Sequence, residues 1–246
     1  MTDRTLRADG ETARLGPVVA VNNTWNRREL ENGVDYVQTI ELGEAVVMRW
    51  DWPDAPAGVR AFPELYAGRK PWGGPAGGDD LPAPLADARE LAVRYDAAPS
   101  GAPGGFRVAF DLWVSADPAG GPAAITHEIM VHLTSAAAPP AGAPVGRLEL
   151  GPFSGVLWRR EDMGRGGWTY LALVPDDAPL AGRLELAPLL DALALPPEAW
   201  LMTVELGAEV VAGAGALTLR DFAVVPAATE ARVGIPAPVP LAADGP

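Results

Sequence analysis

Apolar and polar residues alternate in short runs along most of the chain, which is the period-2 pattern of half-buried β-strands. Gly, Pro and Asp residues separate these runs and are typical of turns. In the run at 104–115, apolar residues occupy every second position, and Asp111 and Trp113 lie between them. The pattern predicts strands in eight segments, at 44–52, 89–96, 104–115, 124–134, 154–160, 168–175, 199–211 and 216–225.

One segment has a helical period instead. In Leu184–Leu195, the leucines at 186, 189, 190 and 193 form a single stripe, as on the buried face of an amphipathic helix. Many strands with one helix predict an all-β fold, a mostly antiparallel two-sheet sandwich with one accessory helix. We expect the folded domain to span 17–225, preceded by a polar N-terminal arm at 1–16 and followed by an Ala/Pro-rich tail at 226–246.

Length and composition are those of a single globular domain. The chain has 246 residues, of which 48% are hydrophobic, enough to form a sizeable core. Its net charge of −13, without a basic cluster, argues against binding to nucleic acid or to an anionic membrane. There is no cysteine, and no apolar run approaches a membrane span. The N-terminal residues lack the apolar core of an export signal, which fits a cytoplasmic protein or a secreted one given without its signal.

Both histidines of the chain lie in the segment HEIMVH, His127–His132. A zinc helix needs histidines four residues apart on one face, whereas these are five apart. On a helix that spacing separates the side chains by roughly 140°, and on a strand it sends them to opposite faces. The spacing therefore argues against a metal site. His127 belongs to the apolar set of its strand, so we expect a core histidine hydrogen-bonded by a neighbour.

Three predicted strands direct acidic side chains away from their apolar sets. A half-solvated sheet also alternates in this way, and a single strand glutamate is usually only solvated. Here, however, the acids accompany tryptophan and methionine, and indole rings beside paired carboxylates suit sugar binding and glycoside hydrolysis. The polar sets contain Asp111 and Trp113; Glu128, Met130 and His132; and Thr203, Glu205 and Glu209. The opposite, core sets are 106, 108, 110, 112 and 114; 125, 127, 129, 131 and 133; and 202, 204, 206, 208 and 210.

Five motifs, in their order along the chain, resemble glycoside hydrolase family 12. The motifs are VNNTW at 21–25, FPELYAGRKPW at 62–72, FDLWVSADP at 110–118, HEIMVHL at 127–133 and the segment at 205–224 that opens with ELGAE. The resemblance implies a β-jelly roll, a concanavalin-like sandwich. It also implies a retaining endo-acting hydrolase of β-1,4-glucan, mixed-linkage glucan or xyloglucan, with no cofactor or metal.

The resemblance also implies the roles of individual residues. Glu128 would be the nucleophile, Glu209 in Gly-x-Glu the acid/base, and Asp111 the neighbour hydrogen-bonded to the nucleophile. Glu205 competes for the acid/base role because it lies on the same strand face. Glu64 is expected to support a loop. The expected substrate-binding residues are Asn22, Trp25, Trp72, Trp113, Met130 and His132.

The sequence departs from the family pattern at two positions that concern the substrate. His132 stands where the family usually has Trp, and Asn26 replaces the Gly that usually follows Trp25. The first change predicts an altered preference among glucans. The expected partner is a β-glucan polysaccharide or oligosaccharide, bound by a monomer. Two alternatives remain at this point: a transglycosylase acting on a glucan, and a glycan-binding jelly roll without catalytic activity.

Overall fold

The structure, a computed structural model, describes residues 4–54, 58–101, 105–136 and 139–227. All eight predicted segments contain strands, and the structure has further strands that the sequence pattern did not predict. The strands are β1 Arg4–Leu6, β2 Thr12–Leu15, β3 Val18–Val21, β4 Val37–Leu42, β5 Val46–Trp52, β6 Glu64–Gly68, β7 Ala83–Pro84, β8 Leu91–Gly101, β9 Phe106–Ser115, β10 Ile125–His132, β11 Ala143–Leu148, β12 Gly155–Met163, β13 Trp168–Pro175, β14 Ala181–Glu185, β15 Trp200–Val210 and β16 Gly213–Pro226. The helices are α1 Leu85–Ala88 and α2 Leu186–Ala192, with 3₁₀ turns at Pro122–Ala124 and Gly151–Phe153.

The strands form two sheets that pack face to face. The larger sheet has the order β11-β12-β13-β10-β9-β15-β6-β3-β2, with β7 paired to the start of β15. The smaller has the order β1-β4-β5-β16-β8-β14. Neighbours are antiparallel except for the parallel pair β10 and β13. This arrangement is a β-jelly roll with one helix of two turns, so the predicted fold class is confirmed.

The core lies between the sheets and follows the alternation of the sequence. The inward set of β9 (106, 108, 110, 112 and 114) is buried in the main core cluster, as predicted. Two residues of the predicted core sets, Ile125 and Met202, instead pack against Trp113 on the other side of the large sheet. Each lies at a register shift, between Ile125 and His127 in β10 and between Leu201 and Thr203 in β15. A β-bulge adds one residue and so reverses the alternation beyond it.

The predicted helix and N-terminal arm need correction. The helix begins at Leu186, not Leu184, because residues 181–185 pair with β8 as an edge strand. Residues 4–6 and 12–15 of the predicted N-terminal arm are strands of the two sheets. They are anchored by Leu6 and Leu15, which are at most 1% exposed. At the other end, β16 runs through Pro226, and the remainder of the predicted tail, 228–246, lies outside the described residues. None of the helices described has the length and apolarity to cross a membrane.

One surface of the large sheet positions the candidate site. Strands β13, β10, β9, β15 and β6 are consecutive neighbours in this sheet. Their inward residues fill the core, so the alternate residues point away from it. We call this surface the outer face; it carries Glu64, Asp111, Glu128, Glu205 and Glu209, together with Arg107, Trp113, Met130, His132, Trp168 and Tyr170.

Candidate active site

Strand register brings the acids of the outer face together. Asp111 lies opposite Met130 of β10 on one side and opposite Glu205 of β15 on the other. Glu128 lies opposite Trp113, and Glu209 lies further along β15, opposite Arg107. All three predicted acid-bearing strands are therefore adjacent, as their shared pattern suggested.

The five acids differ in their access to solvent. Glu64, Asp111 and Glu205 are at most 6% exposed. Glu128 is only partly buried, and the side chain of Glu209 is 16% exposed. Among these acids, therefore, only Glu128 and Glu209 can be reached by a substrate lying on the outer face.

Glu205 is bound in a buried cluster with Glu64 and Lys70. The Lys70 ammonium donates to Glu205 Oε2 at 2.6 Å and to Glu64 Oε1 at 2.8 Å. Thr203 donates to Glu205 Oε1 at 3.0 Å, and Asn23 donates to Glu64 at 3.2 Å. These bonds hold Glu205 and Glu64 in fixed, buried positions on the outer face.

Electrostatics in this cluster favour one proton on Glu64. Burial raises the pKa of the Glu64 carboxyl well above its usual range, and the Glu205 charge raises it further, while Lys70 opposes both. Burial alone would lower the pKa of Lys70, but Glu205 and Glu64 raise it on balance, so the lysine stays charged. A charged Lys70 with one carboxylate and one carboxylic acid is neutral overall, which reduces the cost of burial.

Glu128 is oriented by Trp168, which was not among the predicted site residues. The Trp168 indole Nε1 donates to Glu128 Oε2 at 2.7 Å from the neighbouring strand β13. Burial raises the pKa of Glu128, and the charges of Glu209 and Glu205 act in the same direction. The Trp168 hydrogen bond favours the charged carboxylate and opposes them.

Asp111 does not make the hydrogen bond to Glu128 that the resemblance implies. Its Oδ1 is buried without a hydrogen-bond partner among the described residues, and Glu128 accepts from Trp168 instead. Burial raises the pKa of Asp111 well above its usual range, and the charges of Glu128 and Glu205 raise it further. The charge of Glu128 thus acts on Asp111 without a hydrogen bond between the two carboxyls.

Glu209 lies against a buried arginine. Arg107 Nε approaches Glu209 Oε2 to 2.6 Å, although neither atom has the alignment of a hydrogen bond. Burial raises the pKa of Glu209, and the Arg107 guanidinium opposes that increase. The charge of Glu209 in turn raises the pKa of Glu128, so the two reachable carboxyls interact across β9.

Three tryptophans extend from Glu128 across the outer face. Trp168 contacts Trp113 edge-to-face with ring centroids 5.4 Å apart, and Trp113 contacts Trp72 in the same manner at 4.7 Å. Trp113 is buried, whereas Trp72 is 48% exposed. Trp72 therefore offers an open indole surface next to the acids, held by the indoles beneath it.

Trp25 and Asn22 follow β3 and differ in their exposure to solvent. Trp25 is 65% exposed and lines a shallow cavity of about 410 Å³ with Asn23 and Arg28. Asn22 is fully buried, and its amide donates to the carbonyls of Ala8 and Gln38. Asn22 thus supports the segment that carries Trp25 and is not open to a substrate.

Met130 and the two histidines are also less accessible than expected. Met130 and His132 lie on the outer face but are only 2% and 3% exposed. Burial lowers the pKa of His132 to about 3, assisted by the Arg107 charge, so its imidazole is neutral. His127 is half-buried, and its Nδ1 has no partner among the described residues, contrary to the expected hydrogen-bonded core histidine.

Comparison with solved structures identifies the architecture. A family 12 xyloglucanase from Bacillus licheniformis superposes with a TM-score of 0.81 at 21% identity, covering 91% of this chain and 100% of its own. A metagenome-derived family 12 endoglucanase matches with a TM-score of 0.75 at 23% identity over 91% and 97% of the two chains. The catalytic domain of Humicola grisea Cel12A, solved with a soaked thio cellotetraose, gives 0.73 at 18% identity over 90% and 98%. The chain has the fold of family 12 glycoside hydrolases.

The likeness to family 12 is carried by structure. No protein-family model matches the sequence, and no curated protein matches it. The similarity nevertheless extends over nine-tenths of this chain and nearly all of each neighbour. The likeness is therefore one of the whole fold and not of an isolated motif.

Three residues of the candidate site were not predicted from the sequence: Trp168, Arg107 and Lys70. The alternation could have indicated the first two, because Trp168 and Tyr170 alternate with core leucines in β13 and Arg107 is in the polar set of β9. Lys70 has no such signal, since it follows β6 and meets Glu205 only in the folded chain. The described residues contain no group of three or more His, Asp or Glu side chains that could hold a metal ion.

Proposed function

We propose that this protein is a retaining, endo-acting β-glucan hydrolase in which Glu128 is the nucleophile and Glu209 the acid/base. The observation that carries the proposal is that these two carboxyls are partly open to solvent, whereas the other three acids of the outer face are buried. The family 12 fold supports the same chemistry. Open indole surfaces at Trp72 and Trp25 suit the C–H faces of sugar rings.

In the first chemical step, the two carboxyls need different protonation states. Glu128 attacks the anomeric carbon as a carboxylate, while Glu209 transfers its proton to the departing glycosidic oxygen. The bond from the anomeric carbon to that oxygen breaks as the glycosyl-Glu128 ester forms. The charge of Glu209 raises the pKa of Glu128, so a protonated, neutral Glu209 favours the charged Glu128 that this step requires.

In the second step, the same residues release the sugar. Glu209, now a carboxylate, takes a proton from water, and the hydroxyl attacks the anomeric carbon and breaks the ester to Glu128. The Trp168 indole stabilises the Glu128 carboxylate that leaves. The product keeps the configuration of the substrate, and Glu209 regains its proton for the next cycle.

Azide rescue of alanine variants assigns the two roles by stereochemistry. Glu128→Ala cannot form the glycosyl-enzyme, and azide fitting the vacated space should displace the leaving group directly and give the inverted glycosyl azide. Glu209→Ala should still be glycosylated by an aryl glycoside with a good leaving group, and azide should then give the retained product. Proton NMR of the azide products is the measurement.

Glu205→Ala is the control, because Glu205 shares the strand face of Glu209 but is held by Lys70. It should give no azide product of either kind. A retained azide from Glu128→Ala, or rescue in Glu205→Ala in place of Glu209→Ala, would contradict the assignment. If wild-type protein released no reducing ends from any β-glucan, the hydrolase itself would be refuted in favour of a glycan-binding jelly roll.

A further inference from the structure

A buried cation adjoins one of the two reachable carboxyls. The Arg107 side chain is 6% exposed, projects from β9 on the outer face and brings Nε to 2.6 Å from Glu209 Oε2. Buried arginine is uncommon unless it is paired, and here the charge faces a carboxylate across one strand spacing. At this distance the charge of Arg107 affects the protonation of Glu209 as well as its position.

Among the residues that the structure describes, the other titratable groups around Glu209 supply no second positive charge. Across the sheet, Glu128 and Tyr170 both respond to the Glu209 charge, and on its own strand the nearest acid is the Lys70-bound Glu205. His132 adjoins Arg107 but is neutral, and its Nε2 is buried without a partner in the described part of the chain. Arg107 is thus the cation that acts on Glu209.

We propose that Arg107 is a positioning residue for Glu209. The Arg107 guanidinium fixes the Glu209 carboxyl beside β9 and thereby sets the highest pH at which Glu209 can hold the proton of the first step. The inference rests on the proposed function. The guanidinium favours the charged carboxylate, which serves as the base of the second step, while burial favours the protonated acid of the first. Because Arg107 and burial act on the pKa of Glu209 in opposite directions, the same carboxyl can serve as acid and then as base within a limited pH range.

The test compares Arg107→Gln and Arg107→Lys with wild type in the pH dependence of kcat/KM on soluble mixed-linkage glucan. Removing the cation stabilises the protonated acid. The alkaline limb of the pH profile, where kcat/KM falls with rising pH, should therefore lie about one pH unit higher in Arg107→Gln than in wild type. Arg107→Lys keeps the charge and should restore the limb toward its wild-type position. Arg147→Gln on the edge strand β11, with its 46% exposed side chain, makes the same change in net charge and should leave the limb unmoved.

Failure of this proposal is distinguishable from failure of the proposed function. A uniform loss of kcat/KM in Arg107→Gln without movement of the limb would show a merely structural role and overturn the inference. The protonation of Glu209 can also be followed without turnover, by carbon-13 NMR titration of carboxyl-labelled protein with Glu209→Gln for assignment. An upward shift of the Glu209 titration in Arg107→Gln supports the proposal even if no glucan is cleaved, and an unchanged titration refutes it.

Discussion

At the residue scale, Trp168 makes the single hydrogen bond by which a neighbouring side chain orients Glu128 among the described residues. Its Nε1 lies 2.7 Å from Glu128 Oε2 and opposes the effect of burial on the pKa of that carboxyl. A nucleophilic carboxylate must be charged to attack, so a donor that stabilises the charged form extends activity to lower pH. Trp168 also packs against Trp113, which links the nucleophile to the indole surface.

We expect Trp168→Phe to move the acidic limb of kcat/KM to higher pH. Loss of a hydrogen bond to a charged group is worth about 1.5–3 kcal/mol, which corresponds to roughly one to two pH units in the limb. The shift is upward because the variant raises the pKa of Glu128, so that the carboxyl loses its proton only at a higher pH. The pH dependence of kcat/KM on a soluble β-glucan is the measurement.

Trp200→Phe is the matched control for this substitution. Trp200, like Trp168, packs against the cluster of Trp113, Ile125 and Met202, but the hydrogen bond to Glu128 comes from Trp168. Its variant should retain the wild-type limb whatever it costs in stability. If the acidic limb moved equally in Trp168→Phe and Trp200→Phe, the shift would not come from the hydrogen bond between Trp168 and Glu128, and the prediction would be wrong.

At the element scale, β15 must lie very close to β6 where it carries Glu209. A side chain added at Gly207 would place its Cβ 2.4 Å from the Pro63 carbonyl oxygen and 2.9 Å from Glu64 Cβ. These distances are too short for any side chain without movement of one strand. The glycine of the Gly-x-Glu motif is therefore required by the packing of two strands, independently of chemistry.

We expect Gly207→Ala to lower both stability and activity. Overpacking of this kind typically costs about 1–3 kcal/mol in the free energy of unfolding. A displacement near 1 Å of the strand that carries Glu209 would reduce kcat/KM by roughly 100-fold. Denaturant unfolding and glucan hydrolysis measure the two effects.

Gly146→Ala on β11 is the control, because a Cβ at that position meets nothing within 4 Å. That variant should unfold close to wild type and keep its activity. If Gly207→Ala behaved in the same way, the close approach of β15 and β6 would not constrain Glu209.

At the scale of the whole molecule, a buried neutral histidine couples folding to pH. Burial and Arg107 lower the pKa of His132 to about 3 in the folded protein, whereas an exposed imidazole titrates near 6.5. Between these values the unfolded chain binds a proton that the folded chain does not. The stabilisation is therefore complete above about pH 6.5 and is lost as the pH falls toward 3.

We expect His132→Gln to flatten this acid-side loss of stability. One proton contributes a slope of up to about 1.4 kcal/mol per pH unit to the free energy of unfolding. Urea unfolding of wild type and variant from pH 4 to 7 measures the slope. His127→Gln is the comparison: its pKa is lowered in the same direction, but the side chain is half-buried, so the change should be smaller. Parallel curves for wild type and His132→Gln would contradict a neutral buried His132.

The strands that carry the candidate site were predictable because their signal is local. Alternation with a period of two depends only on neighbouring residues, and it placed Asp111, Glu128 and Glu209 on the face opposite the core. The edge strands β1 and β2 lacked this signal, since each is three or four residues long and is stabilised by partners elsewhere in the chain. The β-bulges beside Ile125 and Met202 were also unpredictable, because a bulge is defined by the opposite strand.

The sequence by itself determined which side of its strand each acid occupies, and the tertiary structure decided what each acid can do. Glu205 and Glu209 share one strand face, yet Lys70, 135 residues from Glu205, holds the first, and Arg107 adjoins the second. His132 and Met130 share the face of Glu128 but are buried by their neighbours. Side-chain direction follows from the local backbone, whereas burial, charge pairing and pKa depend on residues that only the packing of distant strands brings together.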